Sequence, residues 1–260
     1  MTPDIYNDRL AEAAIHARTR RFRSKAGKAR GVLEDWLGEH GTTMICWSGG
    51  KDSTALALLA SGLPGAHIAH FESGLEFPGV LDWMSALADT REWNYKSWFK
   101  RDAMAAMIEN GSWSHHTEHT TYDSGAWWES TIGGPRDIAL TGTGAKTMAW
   151  GLRADESAGR RVRIAQGLSF LEADTRVPVV CPLGWWDTID VWAAHLAAGI
   201  EPCPVYRRLC EIGCPEQSQR LDTMTGADGI RMGRMVWLKR GWPDEWARLT
   251  AKLPRMTEWA

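Results

Sequence analysis

Met44-Ile45-Cys46-Trp47-Ser48-Gly49-Gly50-Lys51-Asp52-Ser53-Thr54 is the stretch that decides the fold. An apolar, strand-like run enters a Ser-Gly-Gly turn, and the helix-like run Ala55 to Ala60 leaves it. Glycines take positive φ without a Cβ penalty, so Gly49 and Gly50 let backbone N–H groups converge on one anion. The N-terminus of the following helix adds free N–H groups and the positive end of its dipole. Lys51 supplies a cation, and Ser48, Ser53 and Thr54 supply hydroxyls. Together these residues form a phosphate cradle and imply a nucleotide enzyme.

Two familiar phosphate loops do not fit. In G-x-x-x-x-G-K-[ST], counted back from Gly50-Lys51, the first glycine falls on Ile45, and Asp52 stands where Ser or Thr is required. In G-x-G-x-x-G, Gly142-Thr143-Gly144 leads to Thr147 in place of the last glycine. The unbroken run Ser48-Gly49-Gly50-Lys51-Asp52-Ser53 instead resembles the Ser-Gly-Gly-Lys-Asp-Ser signature of the PP-loop ATP pyrophosphatases, the adenine-nucleotide α-hydrolase group.

Further along, the chain resembles one branch of that group, the phosphoadenosine phosphosulfate (PAPS) reductase-like family. Glu72-Ser73-Gly74-Leu75-Glu76-Phe77-Pro78 is similar to its Asp-Thr-Gly-x-Glu-Phe-Pro, with Glu-Ser in place of Asp-Thr. Gly151-Leu152-Arg153-Ala154-Asp155-Glu156-Ser157, followed by Arg160, is similar to its Gly-x-Arg-x-x-Glu-Ser-x-x-Arg. Pro182-Leu183, Trp186 and Asp190-Val191-Trp192 follow in family order, then Tyr206 and Gly213-Cys214. The likeness spans about residues 43–215.

The 260 residues are 44% hydrophobic, enough for a sizeable core, and 24% charged, as in an ordinary soluble protein. No apolar run approaches the ~20 residues that cross a bilayer, and Met1-Thr2-Pro3-Asp4 does not look like a signal peptide, so a cytoplasmic protein with no membrane partner is expected. A net charge of −2 does not favour nucleic acid or an anionic surface globally. The sixteen tryptophans are unusual, and the pairs Trp127-Trp128 and Trp185-Trp186 read as loop. Trp stacks on bases, but it more commonly packs in a core.

Periodicity places a helical extension over residues 7–38, then strands at Met44–Trp47, His67–Phe71, Tyr95–Phe99, Thr147–Gly151 and Val177–Cys181. Helices are expected at Asp52–Ser61, Gly79–Thr90, Asp102–Glu109 and Thr188–Ala198, and residues 111–136 read as an irregular, mobile lid. The fold class is therefore α/β, a doubly wound and mostly parallel sheet of Rossmann-like adenine-nucleotide α-hydrolase type. It divides into a helical N-terminal extension (1–40), a nucleotide-binding domain (41–200) and a cysteine-containing helical C-terminal region (201–260). Ligands of such sheets bind beyond the carboxyl ends of the strands, where the Ser48, Glu72 and Gly151 segments all begin.

Expected nucleotide contacts are Ser48, Gly49, Gly50, Lys51, Asp52 and Ser53 for the phosphates, and Glu72, Ser73 and Gly74 for the adenosine. Gly151 follows a strand end, and Arg153 and Arg160 are guanidinium clamps for an oxyanion, or else surface partners of Asp155 and Glu156. Lys51, Asp52 and Arg153 are the expected catalytic set, Lys51 neutralising a departing pyrophosphate. Asp52 has two readings, a ligand of phosphate-bound Mg²⁺ or a stabiliser of the helix N-terminus.

Cys181, Cys203, Cys210 and Cys214 lie close in sequence, and Cys46 is in the first strand. Some relatives hold a four-cysteine iron–sulfur site in this region, so an iron–sulfur cluster, a zinc ion and unligated thiols are the three readings. His115-His116-Thr117-Glu118-His119 fits H-x-x-E-H formally, but it sits among loop residues and does not favour a helical zinc site. Arg18, Arg20, Arg21, Arg23, Lys25, Lys28 and Arg30 form either a solvated helix face or a contact for a phosphate backbone.

The resemblance implies cleavage of ATP between its α and β phosphates, activating an acceptor such as tRNA, DNA or a sulfur-donor protein. The alternative is a PAPS or adenosine phosphosulfate reductase that releases sulfite. Such reductases carry a nucleophilic cysteine in a Glu-Cys-Gly-Leu-His tail, and no cysteine follows Cys214 here. A third reading is a nucleotide- or nucleic-acid-binding module without catalysis.

Overall fold

The computed structural model describes residues 3–103, 105, 128–173, 175–221, 223–224 and 233–260. The N-terminal helical run is two helices, α1 (Pro3–Ala17) and α2 (Arg20–His40). The break falls at Thr19, whose hydroxyl accepts from Phe22 N at 3.1 Å and caps α2. Strand β1 (Thr43–Cys46) follows, then α3 (Lys51–Ala60), β2 (Ala66–Glu72), α4 (Val80–Thr90) and β3 (Tyr95–Phe99).

Residues 129–133 form a π-helical turn that runs directly into α5 (Gly134–Thr143). The stretch from Trp128 to Arg136, expected to be irregular, is therefore helical, with Pro135 at the junction where the π turn passes into α5. The expected lid at 111–127, most of the helix expected at Asp102–Glu109 and the His115–His119 run lie outside the described residues.

Next come β4 (Thr147–Ala149), α6 (Ala158–Ala165), β5 (Ser169–Leu171), β6 (Pro178–Val180) and α7 (Thr188–Ala197). The chain finishes with α8 (Pro204–Glu211), α9 (Arg234–Gly241) and α10 (Pro243–Lys252).

The six-stranded sheet has the order β3-β2-β1-β4-β6-β5. Among the described strands β5 alone is antiparallel, pairing with β6 at the edge. Both faces of the sheet are covered, which is why its central strands β1, β4 and β6 are mostly apolar. Ile45 of β1 faces a core with Leu56, Met84 and Val191 from α3, α4 and α7. Its neighbour Met44 faces the opposite core, with Ala139 of α5 and Ile164 of α6. Buried side chains from all three sequence segments, Tyr6 through Leu56 to Met256, join in the first of these cores. His16 and Lys25 tie the N-terminal helices to Asp190 at the start of α7, at 2.8 and 2.6 Å. Strand order reverses between β1 and β4, which opens a crevice at their carboxyl ends.

Candidate active site

The turn from β1 into α3 stands at that crevice. Gly49 has φ 75°, and a Cβ there would lie 2.9 Å from Met84 Sδ and 3.0 Å from Val80, so only glycine fits. Gly50 has an ordinary φ of −66°, a correction to the expectation that both glycines use the left-handed region. Ser53 knits the loop together: its hydroxyl accepts from Ser48 N and donates to Gly50 O, both at 3.1 Å. The Lys51 backbone is held from both sides. Its N–H donates to the Tyr206 hydroxyl at 2.7 Å, and its carbonyl accepts from His195 Nε2 at 2.8 Å. Burial pushes the His195 pKa down to about 4, so the ring is neutral and Nε2 is the donor.

Asp52 sits between two cations, Lys51 Nζ at 2.8 Å from Oδ2 and Arg153 Nε at 2.5 Å from Oδ1. Burial works to raise its pKa, but Lys51 and Arg153 outweigh burial and hold the carboxyl below its usual range. Each carboxylate oxygen thus has a cationic partner. At the neighbouring Gly151 a Cβ would crowd the Asp52 and Ser53 backbone at 3.1 Å, tighter than ordinary van der Waals contact.

Arg153 is only 2% exposed. Besides Asp52 it reaches the Trp186 carbonyl at 3.2 Å and Asp155 at 3.3 Å. It is neither a surface ion-pair partner nor a residue of the main cavity wall. It lines a smaller cavity of about 310 Å³ with Lys51, Asp155, Thr188, Gln219 and Arg220. Arg160 does line the main cavity, where it pairs with Glu156.

The main cavity, about 450 Å³, opens directly over the loop and is lined by Ser48, Gly50, Lys51, Asp52, Ser53 and Gly151. Glu72, Ser73 and Gly74, expected beside the adenosine, are not on its wall. Glu72 accepts from Ser97 at 2.7 Å, Ser73 is wholly buried, and Gly74 uses φ 76° to turn the chain. That turn delivers Glu76 and Phe77 to the cavity instead. Opposite Glu76 stands His70 of β2, whose Nδ1 lies 3.0 Å from the Trp47 carbonyl. The far end is closed by Trp128 and by Arg136, which approaches Glu172 at 3.6 Å.

Arg220, Leu221 and Thr223 also line the cavity, brought across it by the segment after α8. That segment is pinned where Met224 N donates to Leu75 O at 2.7 Å. The sequence does not single out His70 or Arg220, and Glu76 enters it only as a member of the Glu72–Pro78 segment. A histidine inside a buried strand is a detectable signal for the first; nothing local marks Arg220.

The cysteines are not brought together as a ligand set. Cys181 follows β6 in one core, whereas Cys203, Cys210 and Cys214 lie in the other. Among the described residues no group of three or more His, Cys, Asp or Glu is placed to hold a metal ion. Burial pushes the thiols of Cys181 and Cys214 up to about 12 and that of Cys203 to about 11. Gln219 donates to Cys210 Sγ at 3.2 Å and to the Cys214 carbonyl at 2.8 Å, a bonding pattern that uses them as core residues. The residues as placed do not fit a four-thiolate cluster or a zinc site.

Of the basic run, Arg21 and Lys25 pair with Asp187, and Arg30 binds Glu34 and the Leu59 carbonyl. Arg18, Arg20, Arg23 and Lys28 are exposed. Among the described residues no helix is long and apolar enough to cross a membrane.

The family model of the phosphoadenosine phosphosulfate reductase domain matches residues 42–220. No curated protein is significantly similar in sequence. Among solved structures, the phosphoadenylyl-sulfate (PAPS) reductase of Candida auris in a phosphate complex has a TM-score of 0.51 at 14% identity, over 69% of this chain and 83% of that one. The FMN adenylyltransferase of Candida glabrata with FAD and inorganic pyrophosphate has a TM-score of 0.53 at 11% identity, over 79% of this chain and 70% of that one. The same enzyme with ATP has a TM-score of 0.51 at 12% identity, covering 79% and 68%. At such identities the likeness is one of fold.

Proposed function

The chain belongs to the phosphoadenosine phosphosulfate reductase domain family, and on that premise we propose that it binds ATP over the Ser48–Ser53 loop and transfers the adenylyl group to an acceptor, releasing pyrophosphate. The observation that carries this reading is the position of Lys51. It lines the large cavity and the smaller one together, at the first turn of α3. A nucleotide in the large cavity then has its β and γ phosphates at Lys51, with Arg153 and Arg220 of the smaller cavity beyond. The acceptor atom bonds to the α phosphorus as the bond to the bridging oxygen breaks. The electron pair leaves with pyrophosphate, and the acceptor's proton passes to solvent. Lys51 and the loop N–H groups neutralise charge as it builds on the leaving group. Asp52, Tyr206 and His195 do not touch the reacting atoms; they hold Lys51 in place. Bound to the phosphates, Mg²⁺ would add to this charge neutralisation.

The competing reading, thiol-dependent reduction of a sulfonucleotide, has less support. Among the described residues Cys46 is the cysteine that lines the cavity, and burial pushes its thiol up to about 12, far from a nucleophilic thiolate. The exposed Arg18, Arg20, Arg23 and Lys28 of the N-terminal helices support a nucleic-acid acceptor, tRNA or DNA. The test is pyrophosphate release from radiolabelled ATP with tRNA, DNA or a persulfide-bearing protein added in turn. Acceptor-dependent pyrophosphate is expected; release of orthophosphate alone would contradict the proposal. Sulfite formed from PAPS and thioredoxin would establish the competing reading.

A further inference from the structure

The loop after β6 carries two adjacent tryptophans with opposite fates. Trp186 is 3% exposed, whereas Trp185 is 55% exposed, the most of any described tryptophan. The Trp185 ring has no aromatic or hydrogen-bonding partner among the described residues. Its backbone is nonetheless firmly placed. Gly184 accepts from Ala154 N at 2.8 Å, and a Cβ on Gly184 would lie 2.5 Å from Leu168 and 2.9 Å from Ile164 of α6. On the other side Trp186 meets Phe22 of α2 edge-on, with ring centroids 6.0 Å apart. The exposed indole is thus held between α2 and α6.

Both helices bring basic side chains to this loop. On α2, Arg21 and Lys25, one turn apart, reach Asp187 at 3.4 and 3.1 Å, two residues beyond Trp185. Lys28 continues that helix face and is exposed. On α6, Ile164 is the buried residue, and Arg160 and Arg161, four and three residues before it, share its flank. Arg163 lies over the Phe170 ring at 3.9 Å. Arg160 pairs with Glu156 and lines the main cavity. Lys28, Arg161 and Arg163 have no ion-pair partner among the described residues. A chain whose net charge is −2 therefore gathers unpaired cations around its most exposed described indole. Cations suit a phosphate backbone, and a bare indole suits an unstacked base. Bases inside a duplex already stack on one another and do not offer that face.

We propose that Trp185, flanked by Arg161 and Arg163 of α6 and by the Arg21–Lys28 face of α2, is a docking track for a single-stranded polynucleotide, leading to the cavity rim at Arg160. The inference rests on the nucleic-acid reading of the acceptor and adds the surface and the strandedness to it. One base stacks on Trp185 while its flanking phosphates lie on the two helices.

The experiment is fluorescence anisotropy of the full chain with labelled RNA and DNA strands of about twelve nucleotides and with the matching DNA duplex. The wild type is expected to bind a single strand at least about fivefold more tightly than the duplex, and the RNA and DNA arms show which strand it takes. Trp185→Ala and Arg161→Glu, both surface changes checked by thermal melts, are each expected to weaken strand binding at least about fivefold. Lys146→Glu makes the same charge change at an exposed residue before β4, at the amino ends of the strands, and is expected to stay within about twofold of the wild type. Strand binding that survives in both Trp185→Ala and Arg161→Glu would overturn the track and leave a nucleic-acid acceptor standing. Equal binding of strand and duplex would overturn it too. If the wild type binds neither, the nucleic-acid reading of the acceptor falls and this inference with it, while ATP binding is read separately by calorimetry. A dimer in sedimentation that Trp185→Ala dissociates, with no strand bound, would give the face to a second copy of the chain and overturn the inference.

Discussion

The Lys51–Asp52–Arg153 junction and the His70–Glu76 pair face the same crevice and differ in how completely their polar atoms are partnered. At the junction each carboxylate oxygen has its cation, and the Lys51 backbone is bonded on both sides. Across the cavity His70 Nε2 stands 3.6 Å from Glu76 Oε1, and neither that nitrogen nor Glu76 Oε2 makes a hydrogen bond. A finished network gives rigidity and holds a charge in position; a partly satisfied one constrains its side chains less. The contrast separates a tightly bonded framework from a looser pair among residues that the sequence presents as equally polar.

The contrast breaks most readily at Arg153. Arg153→Met removes one cation from a buried carboxylate and is expected to cost about 3–5 kcal/mol of stability, with a matching fall in melting temperature. Arg153→Lys should recover little of this, because the guanidinium serves Asp52, Asp155 and the Trp186 carbonyl at once. A change within 1 kcal/mol, roughly the worth of an exposed pair, would show that the junction is not a buried framework.

The pH dependence sharpens the same side. Below about pH 6.5 the unfolded His195 takes up a proton, whereas the folded ring stays neutral down to about 4. The unfolded state therefore binds more protons across that window, and stability falls as pH drops through it, by on the order of 3 kcal/mol. Urea unfolding from pH 7 to pH 4 should show the slope, and His195→Gln should flatten it. The Asp52 carboxyl, held low, loses its contribution only as pH falls further.

The smallest effect is expected at Tyr206. Tyr206→Phe removes the partner of the Lys51 N–H and should cost about 1 kcal/mol in urea unfolding. A loss of several kcal/mol would mean that Tyr206 supports the α8 packing more than the loop.

Much of the sheet was legible because parallel strands buried on both faces read as short apolar runs ending in glycine-rich turns. β1, the loop and α3 were located to within a residue. β5 was not, since three residues at an exposed antiparallel edge carry no period to detect. α6 was also missed: its Ala-Gly-Arg-Arg-Val-Arg-Ile-Ala run buries Ile164 alone. The N-terminal run looked continuous because Thr19 breaks it as a cap, without glycine or proline.

In the site, the Glu72–Pro78 segment is recognisable from the sequence, yet Glu76 and Phe77 line the cavity where Glu72, Ser73 and Gly74 do not. Which side chain of a tight turn points inward depends on backbone angles, here the positive φ of Gly74, that residue identity does not state. The cysteines show the converse. Closeness in sequence implied a shared site, but Cys181 and the other three lie in cores on opposite faces of the sheet.

ATP binding to the wild-type protein and to Lys51→Ala, measured side by side by calorimetry, tests the central claim most directly. Saturable binding to the wild type, weakened at least about tenfold in the variant, is the expected result. Equal affinity in the two proteins, or no binding to either, would contradict a nucleotide site built on the Ser48–Ser53 loop.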